Sequence, residues 1–367
     1  MRMCWIKGRV PFSYLCGLLL GNSVLAQSYT VDDLYTLNDV FFDPTCVSIG
    51  GQAGGATYTT QEHAAVWNGP SVVDLNPAGY FGSEVQGTGG GQQVGLGYLK
   101  NNLDNSHALL WTSTPASYVV LDPTGFTDCA ALGTNGSQQV GAGNGHALLW
   151  NGSATSYVDL NPTAAGYLRS EALGTDGTQQ VGVADFGAAL WSGTAASFVA
   201  LAPAGYDGSE AMGVSGKQQV GYGTFAGTNE PHAMLWTGTA ASYVDLNPAG
   251  FTASEAIATN GTQQVGYGQA SQGDVSQGTY AALAWSGTAD SFVNLGALLP
   301  AQFTSSQAFS IDAQGDVFGY AENSDGSIDS IEWQVTPERG GASLLAIGGF
   351  GLLARRRRRN CRILGMN

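Results

Sequence analysis

Basic residues are what this sequence has least of. Lys and Arg account for 13 of the 367 residues, against 28 Asp and Glu. Ten of the 13 lie near the chain ends, so the section from Gln27 to Glu338 has three basic residues against 28 acids, a formal charge of −25. Such a surface repels phosphate backbones, which argues against a nucleic-acid partner, and it attracts cations or basic proteins.

Cysteine is also scarce. Of the five cysteines, Cys4 and Cys16 fall in an N-terminal leader, and Cys361 follows a run of arginines near the C-terminus. Only Cys46 and Cys129 remain, and two cysteines do not make a disulfide framework. The sequence has no Walker loop, zinc-type spacing, GxSxG elbow or HExxH motif. We therefore expect no cofactor, apart from the weak Ca²⁺ binding considered below.

The N-terminus has the pattern of a secretory signal peptide over residues 1–26. Three basic residues precede the apolar run 12–20, and a small-residue cleavage site ends at Ala26. We expect the mature chain to be exported and to begin at Gln27.

Helical periodicity is absent, and the 54 glycines separate short apolar runs instead. Tryptophan recurs at intervals of 39 to 49 residues, the length of one blade of a β-propeller. Each repeat has four runs, which we name strands a to d. In the repeat that starts at Ser170 they read SEALGT, QQVGV, AALW and SFVAL. The recurring tryptophans are Trp67, Trp111, Trp150, Trp191, Trp236, Trp285 and Trp333.

The number of strands predicts a closed ring. Strand b occurs seven times, but only six tryptophans are followed by a strand d. An unassigned d-type run stands at 29–34, before the first tryptophan. We therefore predict an all-β, seven-bladed propeller over 27–335, in which the N-terminal strand completes the last blade.

The repeat resembles the extracellular HAF-repeat family, named for a His-Ala-Phe triplet. His-Ala pairs lead into four of the tryptophans, and a Ser-x-Ala-x-Gly pattern followed by Gly-x-Gln-Val-Gly covers nearly all of the repeat region. The resemblance implies a bacterial extracellular propeller-like protein without established chemistry. The pairs are His63-Ala64, His107-Ala108, His146-Ala147 and His232-Ala233.

The final segment, 336–367, has the layout of a membrane-sorting tail. An apolar stretch at 340–354, predicted to be helical, is followed by five arginines at 355–359. The apolar stretch is shorter than the ~20 residues of a stable transmembrane helix, and the arginines favour the cytoplasmic side. A Pro-Glu motif precedes it, with Arg339 in place of a second proline.

This layout resembles the PEP-CTERM sorting signal of bacteria that make extracellular polysaccharide. The resemblance implies processing by an exosortase, which cleaves near the motif and releases or re-anchors the protein. A plain membrane anchor is the alternative. Either reading predicts a protein at the cell surface or outside it, attached to the membrane at least transiently. The matching residues are Pro337, Glu338, Arg355, Arg356 and Arg357.

All four histidines stand four residues before a tryptophan. Metal ligands must converge on one ion, whereas equivalent positions of different blades are spread around a ring. We predict that each histidine bonds to a neighbouring loop.

Ser-Glu pairs begin strand a, the strand that lines the channel of a propeller. Their carboxylates predict an acidic ring, which is either structural or able to bind a cation. Glutamates of adjacent blades are also candidates for the acid pair of a glycoside hydrolase, although four equal copies argue against one tuned pair. The channel glutamates are Glu84, Glu171, Glu210 and Glu255.

One aromatic residue stands just before each strand a. We predict that it fills the gap between blades; an exposed aromatic ring that stacks on sugars is the alternative. These residues are Phe42, Tyr80, Phe126, Tyr167, Tyr206, Phe251 and Phe303.

The b–c connections vary most in length and composition, and variable loops on a rigid scaffold commonly carry binding residues. Since the b–c and d–a connections of a propeller share one face, we predict the ligand there. The Asp, Asn and Ser of the last two loops suggest weak Ca²⁺ binding. The candidate ligand-binding residues are Tyr98, Lys100, Asn102, Asp104, Phe225, Asn229, Gln272, Asp274 and Asp325.

These patterns favour a non-catalytic surface or exopolysaccharide-matrix protein, structural or ligand-binding, whose partners are an exosortase-type enzyme and an extracellular polysaccharide or surface protein. A lectin-like adhesive propeller is the first alternative. A polysaccharide hydrolase or lyase is the second, and it requires a unique acid pair in one blade.

Overall fold

The computed structural model describes residues 27–36, 42–49, 52–58, 62–69, 71–228, 230–270 and 279–336. Within these ranges, 28 strands form seven antiparallel sheets of four strands each. The helical content of the described ranges consists of short 3-10 turns, and no helix there is long and apolar enough to cross a membrane. The proposed tail helix at 340–354 and the signal peptide lie outside the described residues.

Each blade runs a to d outward from the channel. Blade 1 comprises β2 (Phe42–Val47), β3 (Ala53–Tyr58), β4 (Glu62–Asn68) and β5 (Ser71–Asp74). Blade 2 comprises β6 (Tyr80–Gly89), β7 (Gln92–Leu99), β8 (Asn102–Trp111) and β9 (Val119–Val120). Blade 3 comprises β10 (Cys129–Thr134), β11 (Gln139–Gly143), β12 (His146–Trp150) and β13 (Val158–Asp159). Blade 4 comprises β14 (Ser170–Thr175), β15 (Gln180–Ala184), β16 (Gly187–Trp191) and β17 (Val199–Ala200).

The last three blades follow the same order. Blade 5 comprises β18 (Tyr206–Ser215), β19 (Gln218–Phe225), β20 (Pro231–Trp236) and β21 (Val244–Asp245). Blade 6 comprises β22 (Phe251–Thr259), β23 (Gln264–Ala270), β24 (Tyr280–Trp285) and β25 (Val293–Asn294). Blade 7 comprises β26 (Phe303–Ile311), β27 (Val317–Asn323), β28 (Ile328–Val335) and, as its strand d, β1 (Tyr29–Thr36).

The predicted closure by the N-terminal strand is confirmed. β1 pairs antiparallel with β28, so that Tyr29 lies opposite Val335 and Val31 lies opposite Trp333. On its other side, blade 7 packs on blade 1, where Phe318 joins a core cluster with Trp67. The chain therefore forms a seven-bladed ring whose two ends meet in one sheet.

The core lies between blades rather than within one. All seven tryptophans are at most 1% exposed, and each packs among apolar side chains of the preceding blade. Burying one such side chain stabilises the fold by about 1.5–3 kcal/mol, so stacking of blades is what makes each sheet stable. Six of the aromatics that precede strand a, from Tyr80 to Phe303, pack in these same inter-blade clusters, as predicted.

Every strand a carries a β-bulge, which the sequence did not predict. The register shifts by one residue at the same position of each blade, for example at Leu132 between Ala131 and Gly133. The glycine of the QQVG motif accommodates the strand that bends there, because a Cβ at Gly141 would lie 2.0 Å from the Ala130 carbonyl oxygen. The bulged residues line a channel cavity of about 440 Å³. They are Thr45, Gln86, Leu132, Leu173, Met212, Ile257 and Phe309.

The two faces of the ring carry different connections. We call the face with the b–c and d–a connections the upper face, and the face with the a–b and c–d turns the lower face. The upper connections bond to one another: Lys100 N donates to Gly79 O, and Ala226 N donates to Gly205 O, both at 3.1 Å. The expectation that these loops share a face is confirmed.

Candidate functional site: the upper face

Exposed large apolar side chains concentrate on the upper face. Seven of those in the described ranges lie there, whereas Ile49 is the one on the lower face; the others lie on or beside the outer strands. An apolar side chain that the fold does not bury is available to a ligand. The seven are Phe81, Tyr98, Leu103, Leu168, Phe186, Phe225 and Leu298.

The two most exposed of these side chains lie together on blade 4. Phe186 is 83% exposed and Leu168 is 79% exposed. Asp185 joins their turns, because its Oδ1 accepts hydrogen bonds from Leu168 N at 3.3 Å and Arg169 N at 3.1 Å. In blade 3 the position of Phe186 is held by Gly145, so the turn itself does not require an aromatic ring. Sequence reasoning missed this pair, because the b–c turn of blade 4 is short and its composition does not differ from that of an ordinary turn.

The predicted loop residues are spread over several blades. On blade 2, Lys100 and Asp104 are exposed, and Asn102 shapes the turn by accepting a hydrogen bond from Asp104 N at 3.2 Å. Burial, followed by the charges of Asp128 and two glutamates, raises the pKa of Tyr98. The Tyr98 hydroxyl therefore lies in an acidic environment.

The other predicted loop residues lie on later blades. The ring of Phe225 on blade 5 stacks on His232, with ring centroids 6.4 Å apart, and keeps about half of its surface exposed. On blade 7, Asp325 is exposed and accepts hydrogen bonds from Ser327 N and Oγ. Asn229, Gln272 and Asp274 lie outside the described residues.

The channel glutamates form an arc rather than a complete ring. Glu171, Glu210 and Glu255 lie on consecutive blades 4, 5 and 6, but Ala130 holds the equivalent position on blade 3 and separates them from Glu84. Burial raises the pKa of Glu171, and the charge of Glu210 raises it further. Burial and the charge of Glu210 likewise raise the pKa of Glu255.

A tyrosine of strand b lies opposite each of two of these carboxylates. The Tyr267 hydroxyl donates to Glu255 Oε2 at 2.7 Å, and Tyr222 is the strand partner of Glu210. Burial is the main cause that raises the pKa of both tyrosines, so they stay protonated. The hydrogen bond from Tyr267 orients the Glu255 carboxylate.

The four histidines each bond to an aspartate of their own blade. Three of these aspartates end the outer strand, so the prediction of a loop partner is wrong for them, and Asp122 follows the outer strand of blade 2. The Nδ1 atoms of His63, His146 and His232 lie 2.8–2.9 Å from their partners, and that of His107 lies 2.5 Å from Asp122. In the described ranges, no group of three or more His, Cys, Asp or Glu residues is placed to hold a metal ion. The other partners are Asp74, Asp159 and Asp245.

The paired glutamines of the QQVG motif have a role that sequence reasoning missed. The second glutamine is fully buried and reaches the first glutamine of the preceding blade: Gln139 Nε2 donates to Gln92 Oε1 at 2.8 Å. Its own Oε1 accepts from a c–d turn, at 2.7 Å from Gly152 N. This pattern recurs around the lower face, and we call it the glutamine girdle. The recurrence of two polar residues at the start of a buried strand was the available signal.

Comparison with known proteins identifies the fold and nothing more specific. No protein-family model and no curated protein matches the chain. Its structure is similar to the β-propeller domain of the Trilobed protease from Pyrococcus furiosus, with a TM-score of 0.51 and 8% identity over 82% of this chain and 96% of that one. The fold is a β-propeller.

A second match is the extracellular domain of a one-component system from B. thetaiotaomicron, at a TM-score of 0.41 and 7% identity over 80% of this chain and 40% of that one. The Pyrococcus domain is described as having an open velcro topology. This propeller differs, because its first strand closes the last blade.

Proposed function

We propose that this chain is an exported, non-catalytic binding protein of the bacterial surface or exopolysaccharide matrix, and that it binds its ligand on the upper face. The observation that carries the proposal is the uneven distribution of exposed apolar side chains, above all Phe186 and Leu168. The ring presents Phe186 on a short b–c turn that does not require an aromatic side chain. The polar, acidic surroundings and exposed aromatic rings suit an uncharged polysaccharide, which makes the protein lectin-like.

The repetition of the channel glutamates argues for binding rather than catalysis. Glu171, Glu210 and Glu255 occupy equivalent positions in three blades, so none of these channel glutamates is distinguished from the others by its place in the repeat. A glycosidase needs two carboxyl groups with different roles. An assay for shortened polysaccharide chains tests the hydrolase or lyase alternative: product that disappears in Glu210→Gln would favour it.

Binding on the upper face is tested with a glycan array of bacterial exopolysaccharide fragments. We expect Phe186→Ala/Phe225→Ala to lower the apparent affinity at least tenfold, because each ring offers a face for sugar stacking. Ile49→Ala, which removes an exposed apolar side chain of the lower face, serves as the matched control and leaves binding unchanged. Loss of binding in the control, with the double variant unaffected, would place the ligand elsewhere.

The same proposal includes export and processing of the tail. Its support is the signal-peptide pattern of 1–26 and the order of Pro337, the apolar stretch and the arginines at 355–359. Mass spectrometry of the mature protein, combined with cell fractionation, tests it. A C-terminus near Pro337 agrees with exosortase processing, whereas intact arginines in the membrane fraction indicate a plain anchor.

A further inference from the structure

The cluster under the d–a connection is built from four side chains in three of the blades. In blade 5, His232 bonds to Asp245, and Asn247 accepts a hydrogen bond from Ser254 Oγ at 2.7 Å. Asn247 Nδ2 also lies 3.4 Å from His232 Nε2. The same set of residues recurs in blades 1 and 3, so in these blades the side chains fill the space between one blade and the next.

Blade 6 lacks most of this cluster. Strand pairing places Ala281 at the histidine position and Asn294 at the aspartate position, and Gly296 follows where asparagine stands in blade 5. Only the serine is retained, as Ser306, which accepts a hydrogen bond from Ala282 N at 3.0 Å. All four positions line a cavity of about 240 Å³ between blades 6 and 7.

Loss of side chains alone does not open this cavity. Blade 4 also lacks the histidine, as Gly187, and the asparagine, as Ala202. In blade 4 the d–a connection itself fills the space, because a Cβ added at Gly187 would lie 3.0 Å from the Cβ of Ala202. In blade 6 the connection from Leu295 to Phe303 is three residues longer than in blade 4, and its 3-10 turn, Gly296–Leu298, lies at the cavity.

The described part of the lining is neutral although the protein is strongly acidic. Among the residues that the structure describes, no Asp, Glu, Lys or Arg lines the cavity, which is instead lined by amides, hydroxyls and a few apolar groups. These residues offer no carboxylate to a cation and no positive charge to an anion. Amide and hydroxyl groups both donate and accept hydrogen bonds, which is the pattern that sugar hydroxyls match. The polar lining includes Gln269, Thr279, Tyr280, Asn294 and Ser305.

The apolar part of the lining and the volume of the cavity restrict the class of ligand further. Phe303 and Leu299 belong to the lining, and the C–H face of a sugar ring packs well on an aromatic ring such as that of Phe303. Asn294 uses its Oδ1 to accept a hydrogen bond from Ala297 N at 3.0 Å, which orients its amide nitrogen. The cavity is smaller than the ~300–1,000 Å³ pockets of drug-sized ligands, so it fits one ring rather than several.

We propose that this cavity binds a single neutral sugar residue, the terminal or branch unit of the polysaccharide. The inference rests on the proposed function and identifies the ligand class of one subsite on the upper face. The three-residue extension of the d–a connection and the small side chains at Ala281 and Gly296 create the site.

The test is a titration of the full mature protein with free sugars, in which calorimetry or ligand-observed NMR detects binding. The sugars are D-glucose, D-galactose, D-mannose and N-acetyl-D-glucosamine. We expect saturable binding of at least one sugar in the millimolar range. Ala281→His/Asn294→Asp restores the His-Asp pair of blade 5 and fills the cavity, so it should lower that affinity at least tenfold. Gln269→Ala keeps the cavity open, removes one amide and should weaken binding about fivefold.

Ile49→Ala on the lower face is the control variant, and it leaves monosaccharide affinity unchanged. Absence of saturable binding by all four sugars, or full affinity in the filled variant, overturns the cavity proposal. Polysaccharide binding that still depends on Phe186 and Phe225 would then leave the proposed function standing. If circular dichroism shows that the filled variant is unfolded, Gln269→Ala is the deciding variant. Unchanged affinity in Gln269→Ala contradicts the subsite.

Discussion

At the scale of single residues, blade 2 shows how the repeat compensates a substitution. Most blades use a serine at the start of strand a to accept a hydrogen bond from strand c, but Cys129 stands there next to blade 2. Asp122 takes over: its Oδ1 accepts from Ala108 N at 2.8 Å while its Oδ2 bonds to His107. One carboxylate thus replaces two side chains of the other blades.

We expect Asp122→Ala to cost about 2 kcal/mol of unfolding free energy. The substitution leaves a buried N–H and His107 without their acceptor, and the Asp122 side chain is only 15% exposed. Asp74→Ala in blade 1 is the matched control; that carboxylate is 59% exposed, and its loss should cost less than about 1 kcal/mol. Urea unfolding measures both, and equal costs would contradict the compensating role of Asp122.

A second local departure lies in blade 7. Asp329 holds the histidine position and Asp33 the aspartate position, so two acids face each other where other blades have a His-Asp pair. Asp329 is 5% exposed, and its Oδ2 accepts a hydrogen bond from Asn323 at 2.9 Å. Burial, followed by the charge of Asp329, raises the pKa of Asp33 above its ordinary 3.8.

This raised pKa predicts a pH-dependent stability. The folded protein is relatively favoured below pH 3.8, where Asp33 is protonated in both states, and loses that advantage as the pH rises through the raised pKa. Asp33→Asn removes the charge, so we expect a higher melting temperature than wild type at pH 7 and no difference near about pH 3.

Asp290→Asn is the control for that experiment, because it removes a charge from an exposed carboxylate on an inter-strand turn. It should leave the melting temperature nearly unchanged at both pH values. A destabilised Asp33→Asn protein at pH 7 would show that the two acids do not repel each other.

At the scale of strands and turns, the sequence predicts the elements better than the contacts between them. Gly and Asx residues bound each apolar run, so the order a to d and the shared upper face follow from local pattern. The bulge in strand a does not follow from local pattern, because it depends on how strand a pairs with strand b. The cavity of blade 6 was also missed, because its cause is a longer connection combined with two small residues that lie far apart in sequence.

From the glutamine girdle we predict that a buried polar residue stabilises the stacking of one blade on the next. Gln139→Ala removes the bonds to Gln92 and Gly152, and we expect it to cost about 2–3 kcal/mol because Gly152 N loses its acceptor and the fully buried side chain leaves a cavity. Thermal unfolding of Gln314→Ala, in which an exposed glutamine is removed, should match wild type. If both variants unfold at the same temperature, the girdle does not contribute to stability.

At the scale of the whole molecule, closure of the ring depends on β1 and β28. The strands join residues about three hundred positions apart, and the Tyr29 side chain packs in the core cluster that contains Trp333. Opening this pair would expose the edge of β28 and an apolar cluster, which favours aggregation.

A disulfide across this pair should therefore stabilise the entire ring. Thr30 and Gln334 lie opposite each other in the register. We expect Thr30→Cys/Gln334→Cys to stabilise the oxidised protein by up to about 5 kcal/mol, because the bond closes a very long loop. Thermal unfolding with and without reductant measures the gain, and the single variants Thr30→Cys and Gln334→Cys control for the cysteines themselves. A melting temperature that reductant does not change would show that the ends are not joined as described.

The pairing of β1 with β28 also sets the order in which the molecule matures. Residues 29–36 are the first described strand to be synthesised, yet their partner is the last. The first strand must stay unpaired while six blades assemble beside it, and long-range pairing of this kind is slow. We therefore expect ring closure to be the final step of folding, and a chain interrupted before residue 335 has no completed seventh blade.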